Sequence, residues 1–175
     1  MRCPLRGNQE GGVRVSQNIL VVYKKNFEDV HDEALEIVKN TLDGMSNNIE
    51  IMVNYSAREK VSREDFIGRD LVVVLGGDGT LTSIAHSVDE NTPVMGVNSH
   101  PRDTDNDGSY GFYMGSDPIN FREDILKALS NEAIVNILPR LQAEISTTSG
   151  NVIRSDPALN DLLLANTHQY QPSKY

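Results

Sequence analysis

The chain has 175 residues, of which 38% are hydrophobic, and it carries a formal net charge of −9 at pH 7. This length allows one domain, or one domain and part of another. The negative charge disfavours a general electrostatic role with nucleic acids or anionic membranes, so we expect neither as a partner. Any bound phosphate must then be held locally, by backbone N–H groups, a few cations or a metal.

Cysteine usage bears on the compartment. Cys3 is the only cysteine, which excludes an intramolecular disulfide and a cysteine-based metal cluster. This fits a reducing compartment, and we expect a cytoplasmic protein. The peroxisome and the mitochondrion are alternatives, because the final Ser-Lys-Tyr is similar to the peroxisomal Ser-Lys-Leu and residues 1–17 carry three arginines. Residues 1–17 lack an apolar core and are expected to form a flexible leader.

Predicted strands and helices alternate along residues 18–131. Apolar runs predict strands at residues 18–23, 49–53, 71–75 and 93–97. Helical periodicity or capping signals predict helices at residues 28–42, 62–67, 80–88 and 120–129. This order is typical of the α/β class, with an open, mostly parallel sheet that carries helices on both faces. We therefore predict an α/β nucleotide-binding domain over residues 18–131.

From Ile134 onward the pattern changes to β structure. Apolar residues lie on both sides of the turn-forming residues 147–150, "TTSG". Two strands cannot bury their own apolar faces, so residues 132–175 are predicted to be the start of an incomplete, β-rich C-terminal domain.

The stretch "LVVVLGGDGT", residues 71–80, carries the chemistry of the first domain. It predicts a buried strand that ends in a glycine-rich turn before a helix. Ligands bind at the carboxyl ends of parallel strands, and the three glycines permit positive φ angles and a close approach. Thr80 is a suitable N-cap, so the first helical N–H groups favour a phosphate. Asp78 fits this chemistry as a proton acceptor or as a ligand of Mg²⁺; alternatively, it bonds its own backbone in a tight turn.

Three motifs in order resemble the NAD kinase family. "GGDGT" at residues 76–80 is similar to its glycine-rich turn, which related lipid and sugar kinases share in part. "PVMGVNSHP" at residues 93–101 resembles its Gly-Ile/Val-Asn turn and is most like the NADH kinase branch. "ALND" at residues 158–161 resembles the Asn-Glu/Asp motif that opens its second domain. The resemblance covers residues 18–166.

The resemblance implies a reaction and a set of site residues. The reaction transfers the γ-phosphoryl group of ATP, with Mg²⁺ as divalent cation, to the 2′-hydroxyl of the adenosine ribose of NAD⁺ or NADH. Asp78 would deprotonate that hydroxyl, and Gly76, Gly77, Gly79 and Thr80 would handle the phosphates. Asn98, Asn160 and Asp161 would contact the dinucleotide, and homo-oligomers are usual in the family. No protein-held metal site is implied.

Two departures from the family pattern leave alternatives open. The family's chains continue past "ALND" to a substrate loop, and "GSYGFYMG", residues 108–115, comes about ten residues late. We therefore expect residues 1–175 alone to be poorly soluble and inactive. The alternatives are a lipid or sphingoid kinase of the same broad group, and a non-catalytic nucleotide-binding or interaction module.

Two further features are weaker candidates. Asp103, Asp105 and Asp107 match the first half of a calcium loop, but the twelfth position is Met114 where a glutamate ligand is needed, so a solvated acidic loop is favoured. The histidines show no pairwise ligand spacing; His100, near the presumed site, is a candidate for a substrate contact.

Overall fold

The structure is a computed structural model that describes residues 16–25, 29–46, 49–102 and 107–163. Residues 1–15 of the predicted leader, residues 103–106 of the acidic loop and the terminal residues 164–175 lie outside the described residues. The chain divides into two compact units, residues 1–135 and residues 136–175.

The first unit is built on a parallel sheet of four strands. These are β1 (Gln17–Tyr23), β2 (Ile51–Ala57), β3 (Leu71–Gly76) and β4 (Val94–Asn98). Their order in the sheet is β2-β1-β3-β4, and every pairing is parallel. The predicted α/β fold is therefore confirmed.

Three helices connect and cover the strands. They are α1 (Asp29–Ser46), α2 (Asp78–Ile84) and α3 (Phe121–Leu129), with a short 3₁₀ helix at Arg63–Phe66. The helix predicted at residues 80–88 lies earlier and is shorter, because Gly77 acts as its N-cap and a turn replaces the helix after Ala85. The 3₁₀ helix replaces the helix predicted at residues 62–67; the backbone N–H of Ser62 donates to the Asp65 carboxylate there, at 2.8 Å.

The second strand lies later in the chain than the predicted residues 49–53. Ile49 closes the end of α1, since its N–H donates to the carbonyl of Met45 at 3.0 Å, so β2 begins only at Ile51. It then runs on to Ala57, opposite Tyr23 of β1. β2 is an edge strand of the described sheet, so only part of its surface is buried and its second half contains polar residues. These polar residues are the reason that the apolar pattern did not predict the end of the strand.

The core covers both faces of the two central strands. One cluster joins alternate residues of β1 and β3 to the apolar faces of α1 and α3; its central members are Ile19, Val21, Val38, Leu42, Val73, Phe121 and Ile125. The intervening residues Leu20, Val22, Val72 and Val74 are equally buried. Burial on both faces explains why β1 and β3 read as continuous apolar runs.

The second unit contains an antiparallel hairpin of β5 (Glu144–Ser146) and β6 (Val152–Arg154). The prediction of β structure from Ile134 onward is correct only here and at the isolated Leu141–Ala158 bridge. Described residues 134–140 form no regular structure, since an extended segment becomes a strand only where another chain segment completes its hydrogen bonds. Every residue of β5 and β6 is exposed, so the hairpin buries no apolar face.

Candidate functional site

The topology of the sheet fixes the place where a ligand binds. The chain runs from β1 outward to β2 and then crosses to β3 on the other side of β1. The strand order therefore reverses between β1 and β3. In open α/β sheets, ligands bind outside the carboxyl ends of the strands at such a switch point. The glycine turn after β3 lies at this point, and Asn98 ends β4 beside it, opposite Gly76 in the register.

The glycine turn has a different geometry from the one predicted. Gly76, Gly77 and Gly79 all lack a positive φ angle, and Gly77 is extended at φ −110°. Close packing, and not a positive φ angle, favours glycine at two of the positions. A Cβ on Gly76 would lie 2.7 Å from Thr80 Cβ, and a Cβ on Gly77 would lie 2.8 Å from Ser109 Oγ. A Cβ on Gly79 would meet nothing within 4 Å, so this glycine faces open space.

Thr80 is not the N-cap. It lies in the first turn of α2, its side chain is buried against Gly76, and its N–H donates to the carbonyl of Gly77 at 2.9 Å. The N–H group that was predicted to receive a phosphate at Thr80 is therefore already used within the turn.

Asp78 ties the glycine turn to a distant loop. Its Oδ2 accepts the backbone N–H of Phe112 at 3.0 Å, and its Oδ1 accepts that of Tyr113 at 2.8 Å. The tight-turn alternative placed these bonds on the backbone of Asp78 itself, which is not what the structure shows. A carboxylate offers about four lone-pair sites, so each oxygen can still accept another proton donor.

Asn98 organises the same loop. Its Nδ2 donates to the carbonyl of Ser109 at 3.0 Å, and its Oδ1 accepts the N–H of His100 at 3.2 Å. Gly111 has φ +68°, and a Cβ there would lie 2.6 Å from Asn98 Nδ2, so only glycine fits. Both ends of this buried amide are engaged, and its predicted contact with a dinucleotide stays a prediction.

The loop presents two aromatic rings beside Asp78. Tyr110 and Phe112 stack with ring centroids 5.6 Å apart, and Phe112 is 83% exposed. The Arg102 guanidinium lies 4.0 Å from the Tyr110 ring centroid, within cation–π range. In the sequence this stretch stood out only for its late position. The signal that could have marked it is the pair of aromatic residues Tyr110 and Phe112 in a glycine-bounded segment.

An open cavity of about 380 Å³ is bounded by Asn98, Gly111 and the start of α3. Its lining includes Asp117, Glu123 and Asp124. Lys127 also lines the cavity but is paired with Glu123 at 2.6 Å, so the lining is negative overall and unsuited to the anionic part of a nucleotide.

A buried polar chain links β1 to β4 at the switch point. His31 Nδ1 lies 2.7 Å from Ser99 Oγ, and His31 Nε2 lies 3.3 Å from Lys24 Nζ. His31 and Ser99 are 5% and 3% exposed. The sequence did not predict this group, although a histidine on the apolar face of α1, three residues before Ala34, was a usable signal. The ring of His100 lies 6.2 Å from that of His31, edge to face.

The remaining predicted residues lie elsewhere. Asn160 and Asp161 are exposed residues of the second unit, just after the bridge at Ala158. Of the proposed calcium loop, Asp103 and Asp105 lie outside the described residues. Within the described ranges, no group of three or more histidine, cysteine or acidic residues is placed to hold a metal ion. The helices that the structure describes include none with the length and apolar character needed to cross a membrane.

Comparison with known proteins agrees with this geometry. A family profile described as the ATP-NAD kinase N-terminal domain matches residues 15–133. The chain belongs to the NAD kinase family. It is 34% identical over 96 residues to an NAD kinase of Pseudomonas fluorescens (strain SBW25), covering 54% of this chain and 29% of that protein. It is 28% identical over 142 residues to an NAD kinase of Clostridium beijerinckii, covering 79% of this chain and 45% of that protein.

A third relative is an NADH kinase of Arabidopsis thaliana, 53% identical over 32 residues, which cover 18% of this chain and 10% of that protein. The matched part of the chain thus spans less than half the length of each of these NAD kinase family relatives.

Proposed function

We propose that this protein, as part of an NAD kinase, supports transfer of the γ-phosphoryl group of ATP to the 2′-hydroxyl of the adenosine ribose of NAD⁺ or NADH. The observation that carries the proposal is Asp78: a carboxylate at the switch point of the sheet, within the family's glycine turn. A phosphate alone would be repelled by it, whereas a ribose hydroxyl that must lose a proton needs such a group.

The contacts of Asp78 suit the role of a positioned proton acceptor. The N–H groups of Phe112 and Tyr113 hold both carboxylate oxygens in place. Phosphoryl transfer depends mainly on positioning and charge stabilisation, so a carboxylate with fixed oxygens contributes by orienting the hydroxyl as well as by accepting its proton. The remaining lone pairs of the two oxygens leave room for that contact.

Mg²⁺ fits this site as the companion of the nucleotide. Mg²⁺ keeps several of its ligands from substrate phosphates and water, so in this proposal the nucleotide would carry the ion and Asp78 keeps its role as proton acceptor. Bound to the nucleotide, the ion would neutralise charge on the phosphates. The open space at Gly79 leaves the turn accessible to the phosphates themselves.

The experiment compares two chains. Residues 1–175 alone are expected to bind ATP without turnover, because they span at most 45% of the length of the NAD kinase relatives described above. The same residues joined to the remainder of the Clostridium beijerinckii relative are expected to form NADP(H) from NAD(H) and ATP. Incorporation of phosphate into sphingosine or diacylglycerol, with none into NAD(H), would instead establish the lipid kinase alternative.

Asp78→Asn tests the proton acceptor in the joined chain. The rate is expected to fall by about 10²–10⁴-fold, the usual contribution of a positioned acid or base, while ATP binding persists. The matched control is Asp89→Asn, because Asp89 also accepts two backbone N–H groups, at 2.8 Å, in a turn before β4. Turnover of the Asp78 variant at the parental rate would refute the assignment.

Three finer statements belong to the same proposal. The protein belongs to the NADH kinase branch, supported by "GVNS" at residues 96–99 and by the short match to the Arabidopsis protein; kcat/KM for NAD⁺ and for NADH tests this. The protein acts as a homo-oligomer, as the family resemblance implies, and sedimentation velocity tests this.

The protein works in the cytoplasm, which its single cysteine favours; imaging of a tagged chain tests this against the peroxisome and the mitochondrion.

A further inference from the structure

A lysine that the family motifs do not include lies at the same edge of the sheet as the glycine turn. Lys24 follows β1 directly, and its backbone N–H donates to the carbonyl of Leu75, the penultimate residue of β3, at 3.0 Å. Lys24 and the glycine turn thus flank the switch point from opposite sides. A ligand in this crevice lies between them.

The ammonium group of Lys24 is held by an unusual partner. Its Nζ lies 3.3 Å from Nε2 of His31, and it forms no ion pair with a carboxylate among the described residues. An ammonium group can only donate hydrogen bonds, so Nε2 accepts, and the proton of the imidazole resides on Nδ1. Nδ1 then donates to Ser99 Oγ, 2.7 Å away.

The far end of this chain is fixed to the glycine turn. The backbone N–H of Ser99 donates to the carbonyl of Gly76 at 3.0 Å. His31 and Ser99 are both buried, so the position of the Lys24 ammonium is determined by the core and not by a flexible surface partner. Within the described residues, the neutral imidazole supplies no counter-charge to the ammonium group of Lys24, in a protein whose net charge is −9.

We infer that Lys24 is a phosphate-binding residue, whose ammonium group is positioned by His31 to contact phosphoryl oxygens of the nucleotide that binds at residues 76–80. The inference rests on the proposed function, because it takes the phosphate to be that of a nucleotide. The N–H of Thr80 is used within its own turn, and Lys24 adds a charged donor to the N–H groups at the start of α2. It also offsets the repulsion between Asp78 and the phosphates.

The test uses the 175-residue chain and two probes, inorganic tripolyphosphate and MgATP, in titration calorimetry. Lys24→Gln is expected to weaken tripolyphosphate binding about tenfold or more, the loss typical of one charge-assisted hydrogen bond. Lys25→Gln is the matched control: it removes the same charge from the exposed neighbouring residue and is expected to change affinity less than about twofold, as for a screened surface charge. Equal losses in both variants, or no tripolyphosphate binding by the parent chain, would overturn the inference.

His31 is tested as a positioning residue through a pair of variants. His31→Gln retains an acceptor that can reach Lys24, whereas His31→Leu retains none. We expect the leucine variant to lose phosphate affinity as Lys24→Gln does and the glutamine variant to recover most of it, with melting temperatures measured for both. Parental affinity in a folded leucine variant would overturn the positioning role.

The two proposals can fail separately. Lys24-dependent tripolyphosphate binding without NADP(H) formation by the joined chain would retain the phosphate site and refute the kinase. NADP(H) formation that is unchanged by Lys24→Gln would retain the kinase and refute the role of Lys24.

Discussion

The buried hydroxyl of Tyr55 lowers the stability of the folded state. Its hydroxyl oxygen is buried with no hydrogen-bond partner among the described residues. Burial, followed by the negative charge of Asp43, raises the pKa of the Tyr55 phenol from 10.0 to about 12. A buried hydroxyl without a partner destabilises the folded state, because its hydrogen bonds to water are lost without replacement.

Tyr55→Phe is therefore expected to leave the free energy of unfolding unchanged at pH 7 or to raise it by up to about 1 kcal/mol. The pH dependence has a defined sign. The unfolded phenol ionises near pH 10 and the folded one near 12, so the parent chain loses stability relative to the variant as pH rises through this window. Urea denaturation at pH 7, 10 and 11 measures both effects. Tyr110→Phe, at an exposed ring, serves as the control, and a clear loss of stability in the Tyr55 variant at pH 7 would contradict the argument.

At the residue scale, the sequence located Asp78 but could not supply its partners. Phe112 and Tyr113 lie 34 and 35 residues away, and their N–H groups reach Asp78 only through the path of a loop that local patterns do not specify. The same limit applies to His31 and Ser99, which are 68 residues apart in the chain. The position of a site residue could be predicted where it directly follows a predicted strand. Hydrogen bonds between residues far apart in the chain could not be predicted.

At the scale of secondary-structure elements, the turn at the start of α2 contains glycines in two different environments. Gly76→Ala would place a Cβ 2.7 Å from Thr80 Cβ, a buried clash, and is expected to cost about 1–3 kcal/mol of stability, as overpacking does. Gly79→Ala meets open space inside a helix and is expected to stabilise the free chain by up to about 1 kcal/mol.

The affinity for MgATP provides a second test, which concerns the Gly79 variant. If phosphates approach the turn at Gly79, its alanine variant should bind MgATP more weakly than the parent while melting at an equal or higher temperature. Thermal melts and calorimetry on the same samples measure both quantities. Gly44→Ala in α1, which also meets nothing within 4 Å, is the control for the helix effect alone. MgATP binding by the Gly79 variant with parental affinity would mean that the ligand does not approach there.

Element boundaries were predictable to the extent that burial alone decides them. β1 and β3 are covered on both faces, and their apolar runs predicted them to within one residue at each end. The predicted β2 began two residues too early, because the apolar run "IEIMV" includes Ile49, whose N–H bonds back to Met45 of α1. It ended four residues too soon, because pairing with β1 continues through polar residues. Residues 134–140 illustrate the converse: apolar and β-branched side chains without pairing do not make a strand.

At the scale of the whole molecule, residues 134–138 carry a run of exposed apolar side chains. Four large apolar side chains lie exposed within five residues: Ile134, Val135, Ile137 and Leu138. Single exposed apolar residues are ordinary on proteins, but a contiguous group is a site of association. The formal charge of −9 opposes association at low ionic strength, and salt screens this repulsion.

The 175-residue chain is therefore expected to self-associate in a concentration-dependent manner, more strongly at 0.5 M than at 0.05 M NaCl (roughly 4 Å against 14 Å of Debye screening). Sedimentation velocity over a range of protein concentrations measures this. The double variant Ile134→Ser/Ile137→Ser should shift the equilibrium towards the monomer, because it removes the two most exposed side chains of the group, at 92% and 83%. Ile119→Ser is the matched control: Ile119 is 91% exposed but lies outside the group, so its loss should leave the equilibrium unchanged. A parent chain that stays monomeric at high salt, or equal effects of the two sets of substitutions, would show that segment 134–138 does not drive association.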